Sequence, residues 1–193
     1  MDKEQLQEAR TNPEFLKYLE ETRVDAIATK NISALYEVLD SFLVLDLDEE
    51  KINAVYQHIL QISFENVEKI VNENRKLKLE GNDLFYVRAF YEHAVEKWSY
   101  ENYKGAKELI FVLSNIVEDE ILCNALQVHI IALSKEIDLD SFYESEVDLN
   151  ASTDDEKYGY FITNFNYDKK EYLEKNKDTL EKEYEKLKHL LES

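Results

Sequence analysis

Glycine and proline are scarce in this chain, and their scarcity limits the folds that are open to it. The 193 residues include 3 glycines and 1 proline, where average usage would supply about 13 and about 10. These two residue types form most of the tight turns between β-strands and most of the loops that hold phosphate groups. The sequence therefore predicts an all-α protein.

Apolar residues recur at helical spacing along much of the chain. Between residues 49 and 76 they fall three or four positions apart, on one face of a helix. Asn12 followed by Pro13 is typical of a capped first turn. Residues 84–133 are apolar on nearly every side, as in helices at the centre of an assembly. We expect a multi-helix bundle or short helical-repeat stack of about seven helices, with a long charged C-terminal helix.

Composition divides the chain into three predicted parts. Residues 1–136 are expected to form a helical core domain. Residues 137–157 are expected to form an acidic loop, because the stretch from Ile137 to Glu156 holds eight acidic residues and no lysine or arginine. Residues 158–193 are expected to form a C-terminal helical arm packed on the core. Within it, residues 158–167 suit either a helix or a strand, and the capping-box spacing of Thr153 and Glu156 favours the helix.

The chain is strongly acidic. Its 42 acidic residues outnumber 23 basic ones and give a formal net charge of -19. Such a surface repels nucleic-acid phosphates and anionic membranes, so we expect neither nucleic-acid binding nor membrane insertion. An acidic surface suits a basic or amphipathic protein partner. The alternative explanation is that the charge only keeps the chain soluble. Without a membrane-length apolar segment or a secretory signal, the expected location is the cytoplasm.

The residues that usually carry catalysis or bind metals do not form a recognisable motif. His58, His93, His129 and His189 are widely spaced, and none follows a glutamate by three positions as in helical di-iron sites. Cys123 is a single cysteine in an apolar run, as expected for a buried side chain. The sequence therefore assigns no catalytic, cofactor-binding or metal-binding residue and no cofactor. A helical enzyme or metal protein built from scattered histidines and carboxylates is the alternative, and an acidic nucleic-acid mimic is a third hypothesis.

The charged tail carries a narrow apolar seam. Leu173, Leu180 and Leu187 are seven residues apart, and Tyr184 lies four positions after Leu180. A seam of this kind needs a groove to pack into. It either packs along its own domain or contacts a second copy of the chain, which would give a homo-oligomer through the C-terminal helix.

One pair of predicted helices resembles a known repeat unit. Phe90 and Ala94 in the first helix, Tyr103 and Ala106 around the turn, and Ile110 in the second helix resemble a single tetratricopeptide-type hairpin. With the acidity and size of the chain, this hairpin also resembles the small acidic helical chaperones of secretion and flagellar export systems. That second resemblance implies a protein that holds a partner in a groove and carries out no catalysis.

The predicted partner-binding residues are large aromatics near this hairpin, together with the seam of the tail. Tyrosine and tryptophan combine a large contact area with a polar group and concentrate at binding surfaces. The candidates are Tyr86, Tyr91, Trp98, Tyr100, Tyr103, Leu173, Leu180, Tyr184 and Leu187. We therefore expect a non-enzymatic, chaperone-like or adaptor-like interaction module that binds a partner segment in an aromatic-lined groove.

Overall fold

The computed structural model describes residues 3–152 and 155–191, and this part of the chain is all-helical, as predicted. It contains ten α-helices and no strand. The helices are α1 Lys3–Thr11, α2 Pro13–Thr29, α3 Ile32–Val44, α4 Glu49–Asn72, α5 Gly81–Ser99, α6 Tyr103–Ile116, α7 Glu120–Ser134, α8 Leu139–Ser145, α9 Lys169–Lys175 and α10 Lys177–Leu187. The chain divides into two compact units, Met1–Glu68 and Lys69–Ser193.

The first unit is built by α1, α2, α3 and most of α4. α2 begins as predicted, because Asn12 accepts hydrogen bonds from the amides of Glu14 and Phe15, and Pro13 occupies the first turn. α3 packs against α2 and supplies much of the core. Its buried residues are Ile32, Leu35, Tyr36, Val38, Leu39 and Phe42.

Five helices end with a left-handed residue that is not glycine. These residues have φ angles between 50° and 57° and lie within two positions of the ends of α2, α3, α4, α5 and α7: Lys30, Asp46, Asn74, Glu101 and Glu136. A left-handed conformation costs a residue with a Cβ about 1–2 kcal/mol. Stabilising contacts elsewhere in the fold offset that cost, so a chain poor in glycine still ends helices in this way.

The second unit is organised around three consecutive helices. α5 packs against α6 and α6 packs against α7, as expected for helices joined by short connections. The Asp119 side chain caps α7 by accepting a hydrogen bond from the Leu122 amide at 2.9 Å. Nine of the 15 residues of α7 are buried, which makes it the central helix of the unit.

The helices outnumber the predicted seven because short ones were not anticipated. α8 lies within residues 137–157, the segment that the sequence predicts as an acidic loop. The Asp138 side chain caps it by accepting a hydrogen bond from the Ser141 amide at 2.8 Å. The Phe142 side chain is completely buried. One cap and one buried aromatic side chain thus support a helix too short to show a periodic pattern.

The predicted helix at 158–165 is wrong. A short 3-10 helix covers Glu156–Tyr158, and the chain then runs without helix to residue 168; we call residues 155–168 the return segment. Phe165 forms an isolated antiparallel bridge with Val147. Tertiary partners satisfy the backbone here, as where the Asn166 amide donates to the Glu146 carbonyl at 2.9 Å. Thr153 of the expected capping box lies outside the described residues.

The tail is not one long helix. α9 ends at Lys175, α10 begins at Lys177, and the Asn176 side chain between them donates to the Tyr172 carbonyl at 2.9 Å. An asparagine amide competes in this way with helix continuation. α9 and α10 both pack against α7, and α10 also packs against α6. The apolar seam of the tail therefore packs within its own chain.

Candidate partner-binding cavity

A chain of buried hydrogen bonds fixes Tyr91 of α5 in the second unit. The His129 side chain is fully buried, and its Nδ1 lies 2.7 Å from the Ala125 carbonyl oxygen, so Nδ1 carries a proton. Nε2 of the neutral ring then accepts from the Tyr91 hydroxyl at 3.0 Å. The Tyr91 oxygen in turn accepts from the Ile162 amide at 3.1 Å. Tyr91 therefore joins α7 to the return segment.

The buried His129 makes the second unit sensitive to acid. Burial lowers the pKa of His129 from 6.5 to about 4. Between these values the unfolded chain binds a proton that the folded chain excludes, so the free energy of unfolding decreases as the pH falls. We expect this one group to remove about 3 kcal/mol between pH 6.5 and pH 4. Urea denaturation at both pH values, followed by the fluorescence of Trp98, measures the loss.

The variant His129→Gln is the control for this pH dependence. Glutamine stays neutral across the range and keeps both a donor and an acceptor for the neighbours of the ring. The carboxylates of the chain titrate equally in both proteins, so the difference in pH dependence isolates the histidine. The same acid sensitivity in this variant and in the parent protein would contradict the assignment.

An open cavity of about 310 Å³ lies where α5, α8 and the return segment meet. α5 contributes Tyr91, Glu92 and Val95, α8 contributes Tyr143, and the return segment contributes residues 159–162. We call it the aromatic cavity. Its volume falls at the lower end of the range of about 300–1,000 Å³ that is usual for ligand pockets.

Aromatic rings stand at steep angles to one another around the cavity. The Phe161 ring meets the Tyr91 ring at 77°, with 5.3 Å between centroids. It meets the Tyr160 ring at 83°, with 6.3 Å between centroids. The Tyr91 and Phe161 side chains are buried, whereas Tyr160 is 39% exposed. The walls are therefore held by the core, and one tyrosine remains accessible at the rim.

One tyrosine ring of this cavity already contacts a cationic side chain of the same protein. The Arg88 guanidinium lies 4.3 Å from the centre of the Tyr160 ring, within the range of cation–π attraction. Arg88 is almost completely buried, and its Nε donates to Glu92 at 2.7 Å. The Glu92 carboxylate compensates the arginine charge, as a buried cation requires.

Two of the elements that form the cavity carry exposed acidic residues. α8 carries Asp140 and Glu144 beside Tyr143, and both carboxylates are exposed. Asp155 and Glu156, just before Gly159, are exposed as well. This arrangement places negative charge on two of the three elements that form the cavity.

The return segment is anchored at both sides of the cavity. The Tyr158 hydroxyl donates to Asp119, the cap of α7, at 2.9 Å. Lys157 forms an ion pair with the same carboxylate at 3.4 Å. Farther along, the Lys169 ammonium donates to the Thr163 carbonyl at 2.7 Å. These contacts keep the walls of the cavity in place without a bound partner.

The structure separates the nine predicted partner-binding residues. Buried positions hold Tyr86, Tyr91, Trp98 and Leu187, half-buried positions hold Tyr103, Leu173 and Leu180, and exposed positions hold Tyr100 and Tyr184. Trp98 donates its ring N–H to the Ile137 carbonyl at 2.8 Å, which makes it part of the core. Of the nine, Tyr91 is the residue that lines the aromatic cavity.

Two residues of the tail line a second cavity, of about 230 Å³, between α10 and the helices α6 and α7. They are Leu180 and Tyr184, and the Tyr184 ring lies 5.8 Å from that of Phe111. This cavity lies along the contact between the tail and its own unit. It is therefore a gap in the packing of α10.

A nearly buried ion pair holds α10 against α6. The Lys107 ammonium lies 2.6 Å from Oε2 of Glu183, and Lys186 lies 2.6 Å from Oε1. Burial alone would raise the pKa of the Glu183 carboxyl, but the two ammonium groups outweigh burial and lower that pKa below its ordinary value. The carboxylate is therefore charged at neutral pH.

The first unit has a cleft of its own, of about 670 Å³, with mixed character. Leu16, Phe42 and Leu47 line it together with charged side chains. The Arg23 guanidinium makes a bidentate pair with Glu20, at 2.6 and 3.0 Å. The charges of Arg23 and Glu20 therefore neutralise each other within the cleft.

Groups that could bind a metal or react as nucleophiles are dispersed. Within residues 3–152 and 155–191, no three His, Cys, Asp or Glu side chains cluster closely enough to hold a metal ion. Cys123 is half-buried, and its Sγ lies 3.5 Å from the carbonyl oxygens of Ser114 and Val117. Burial raises the pKa of the Cys123 thiol, which keeps it protonated.

Sequence reasoning missed most of the cavity. Tyr143, Tyr160 and Phe161 were not among the candidates, because the first lies in a segment predicted as a loop and the others in one predicted as a helix. One signal was present: aromatic residues are dense in residues 158–165, directly after an acidic stretch. In the structure Phe161 packs on Tyr91 of α5, and Phe165 packs on His129 of α7 and Phe142 of α8.

Within residues 3–152 and 155–191 the protein is all-helical, and its second unit has an open cavity lined by aromatic side chains. No protein-family model matches the chain, no curated protein matches it, and no solved structure matches it. Among the helices that the structure describes, none is long and apolar enough to cross a membrane.

Proposed function

We propose that this protein is a non-enzymatic interaction module of the cytoplasm, chaperone-like or adaptor-like, that holds a partner segment in the aromatic cavity. The observation that carries the proposal is an open cavity whose aromatic walls are fixed by the core. Rigid aromatic side chains offer large contact areas at a low cost in conformational entropy, which is why they dominate binding hot spots.

The cavity replaces the groove that the sequence suggested. Tyr91 belongs to both, but its partners are Tyr143, Tyr160 and Phe161. Because hydrogen bonds fix Tyr91 and the return segment in advance, a partner would bind without first ordering these walls. The net charge of -19 favours a basic or amphipathic segment over an acidic one.

Peptide selection combined with glycine-selective NMR tests this function. The chain has 3 glycines, so ¹⁵N-glycine labelling yields a spectrum of Gly81, Gly105 and Gly159, of which Gly159 lines the cavity. We expect peptides selected from a random phage library on the native protein to shift the Gly159 amide. The variant Val95→Phe, which fills the cavity from α5, should weaken their binding by about tenfold or more.

Val112→Phe is the matched control for this variant. Val112 is also half-buried on a long helix of the second unit but does not line the cavity. Peptides should bind this variant as they bind the native protein. Selected peptides that leave Gly159 unmoved, or a selection that yields no binder, would refute a partner-binding role for the cavity.

A further inference from the structure

We propose that the aromatic cavity selects a cationic side chain, the alkylammonium group of a lysine or methylated lysine on a basic partner segment. This inference rests on the function proposed above and specifies what the cavity recognises. The first reason is the lining of the cavity, which includes four aromatic side chains, Tyr91, Tyr143, Tyr160 and Phe161. The faces of aromatic rings attract cations.

Aromatic residues of the return segment already face cations inside the protein. The Arg88 guanidinium lies 4.3 Å from the centre of the Tyr160 ring, and the Lys157 ammonium lies 4.8 Å from the centre of the Tyr158 ring. Of these two rings, Tyr160 lines the cavity, and its contact with Arg88 shows that this ring can face a cation. Arg88 is compensated by Glu92, so it does not leave a net positive charge beside the cavity.

The charge around the cavity supplies the second reason. The stretch from Ile137 to Glu156 holds eight acidic residues and no lysine or arginine, and it includes α8 and the first two residues of the return segment. Asp140 and Glu144 of α8, and Asp155 and Glu156 of the return segment, are exposed. A cation that approaches this surface is attracted before it reaches the rings. An apolar side chain gains nothing from this field.

The experiment compares three short synthetic peptides that differ at one position. That position holds lysine, trimethyllysine or the neutral carbon isostere of trimethyllysine, in which a tert-butyl group replaces the trimethylammonium. Titration against the ¹⁵N-glycine-labelled native protein follows the Gly159 amide. We expect a cationic peptide to bind about tenfold more tightly than the neutral isostere. The ratio between lysine and trimethyllysine then tells which form the cavity prefers.

Substitutions of Tyr160 test whether the ring face is responsible. Tyr160→Leu removes the ring and should weaken binding of the cationic peptide by about fivefold, whereas Tyr160→Phe keeps the ring and should preserve it. Tyr100→Leu is the control, because Tyr100 is 80% exposed and does not line the cavity. The peptide comparison uses the native protein and therefore does not depend on how these variants fold.

Two results would overturn the inference. If the neutral isostere binds as tightly as the cationic peptides, the cavity recognises shape and apolar surface, and the proposed partner-binding function stands without charge selection. If none of the three peptides moves Gly159, cation selection is refuted. Phage selection then decides separately whether the cavity binds any segment at all.

Discussion

Replacing Phe142 with alanine is expected to lower the free energy of unfolding of the second unit by about 3–5 kcal/mol. The Phe142 side chain is completely buried, and its ring lies 4.8 Å from Trp98 and 5.2 Å from His129. Its loss would leave a cavity lined by rigid rings, which relax little. Chemical denaturation followed by Trp98 fluorescence measures the change, because Trp98 is the one tryptophan of the chain.

Leu149→Ala is the control for the Phe142 substitution. Leu149 follows α8 closely in the chain but is 71% exposed, so its truncation should change stability by no more than about 0.5 kcal/mol. A loss below about 1 kcal/mol for Phe142→Ala would show that the aromatic core can collapse around the missing ring. That result would also weaken the case for a cavity with fixed walls.

The parts of the fold that could be predicted are those determined by local chemistry. Asn12 and Pro13 specify the start of α2. The hydrogen bonds that the Glu14 and Phe15 amides donate to the Asn12 side chain confirm this prediction. The spacing of apolar residues in α4 likewise depends on neighbours one turn away. Helix class, helix starts and the buried face of a long helix are therefore accessible from sequence.

The cavity depends on contacts between residues that are far apart in sequence. The hydrogen bond from the Ile162 amide to Tyr91 spans 71 positions, and that from Tyr158 to Asp119 spans 39. The spacing of residues along the sequence gives no information about such distant pairs. Residues 158–167 suit either a helix or a strand locally, yet their backbone groups bond to distant residues and Phe161 and Phe165 pack in the core. Tertiary contacts thus override the local preference at the candidate site.

The tail is a second region where the sequence pattern does not predict the structure correctly. The seven-residue spacing of Leu173, Leu180 and Leu187 predicts one continuous helix, and Asn176 interrupts it. An asparagine inside a charged helical stretch is a weak signal, because its cost there is small. The packing of α10 on α6 and α7 decides where the tail breaks into two helices. A charged side chain buried in that contact is the one whose loss we expect to disturb it most.

That group is Glu183, and removing its charge is expected to release α10. Glu183→Leu leaves the Lys107 ammonium, 17% exposed, without its carboxylate, and should cost about 3 kcal/mol. Lys107→Met should cost less, because Lys186 still pairs with the other carboxylate oxygen. Hydrogen exchange of the α10 amides reports the loss, since it detects local opening that does not reach Trp98.

The double variant Lys107→Met with Glu183→Leu distinguishes ion pairing from packing. Replacing both charges with apolar side chains removes the desolvation cost together with the attraction, so α10 should regain protection to within about 1 kcal/mol of the native protein. If the two single losses simply add in the double variant, the charges act independently of each other. The tail would then be held by its apolar seam, with Leu187 as the buried anchor.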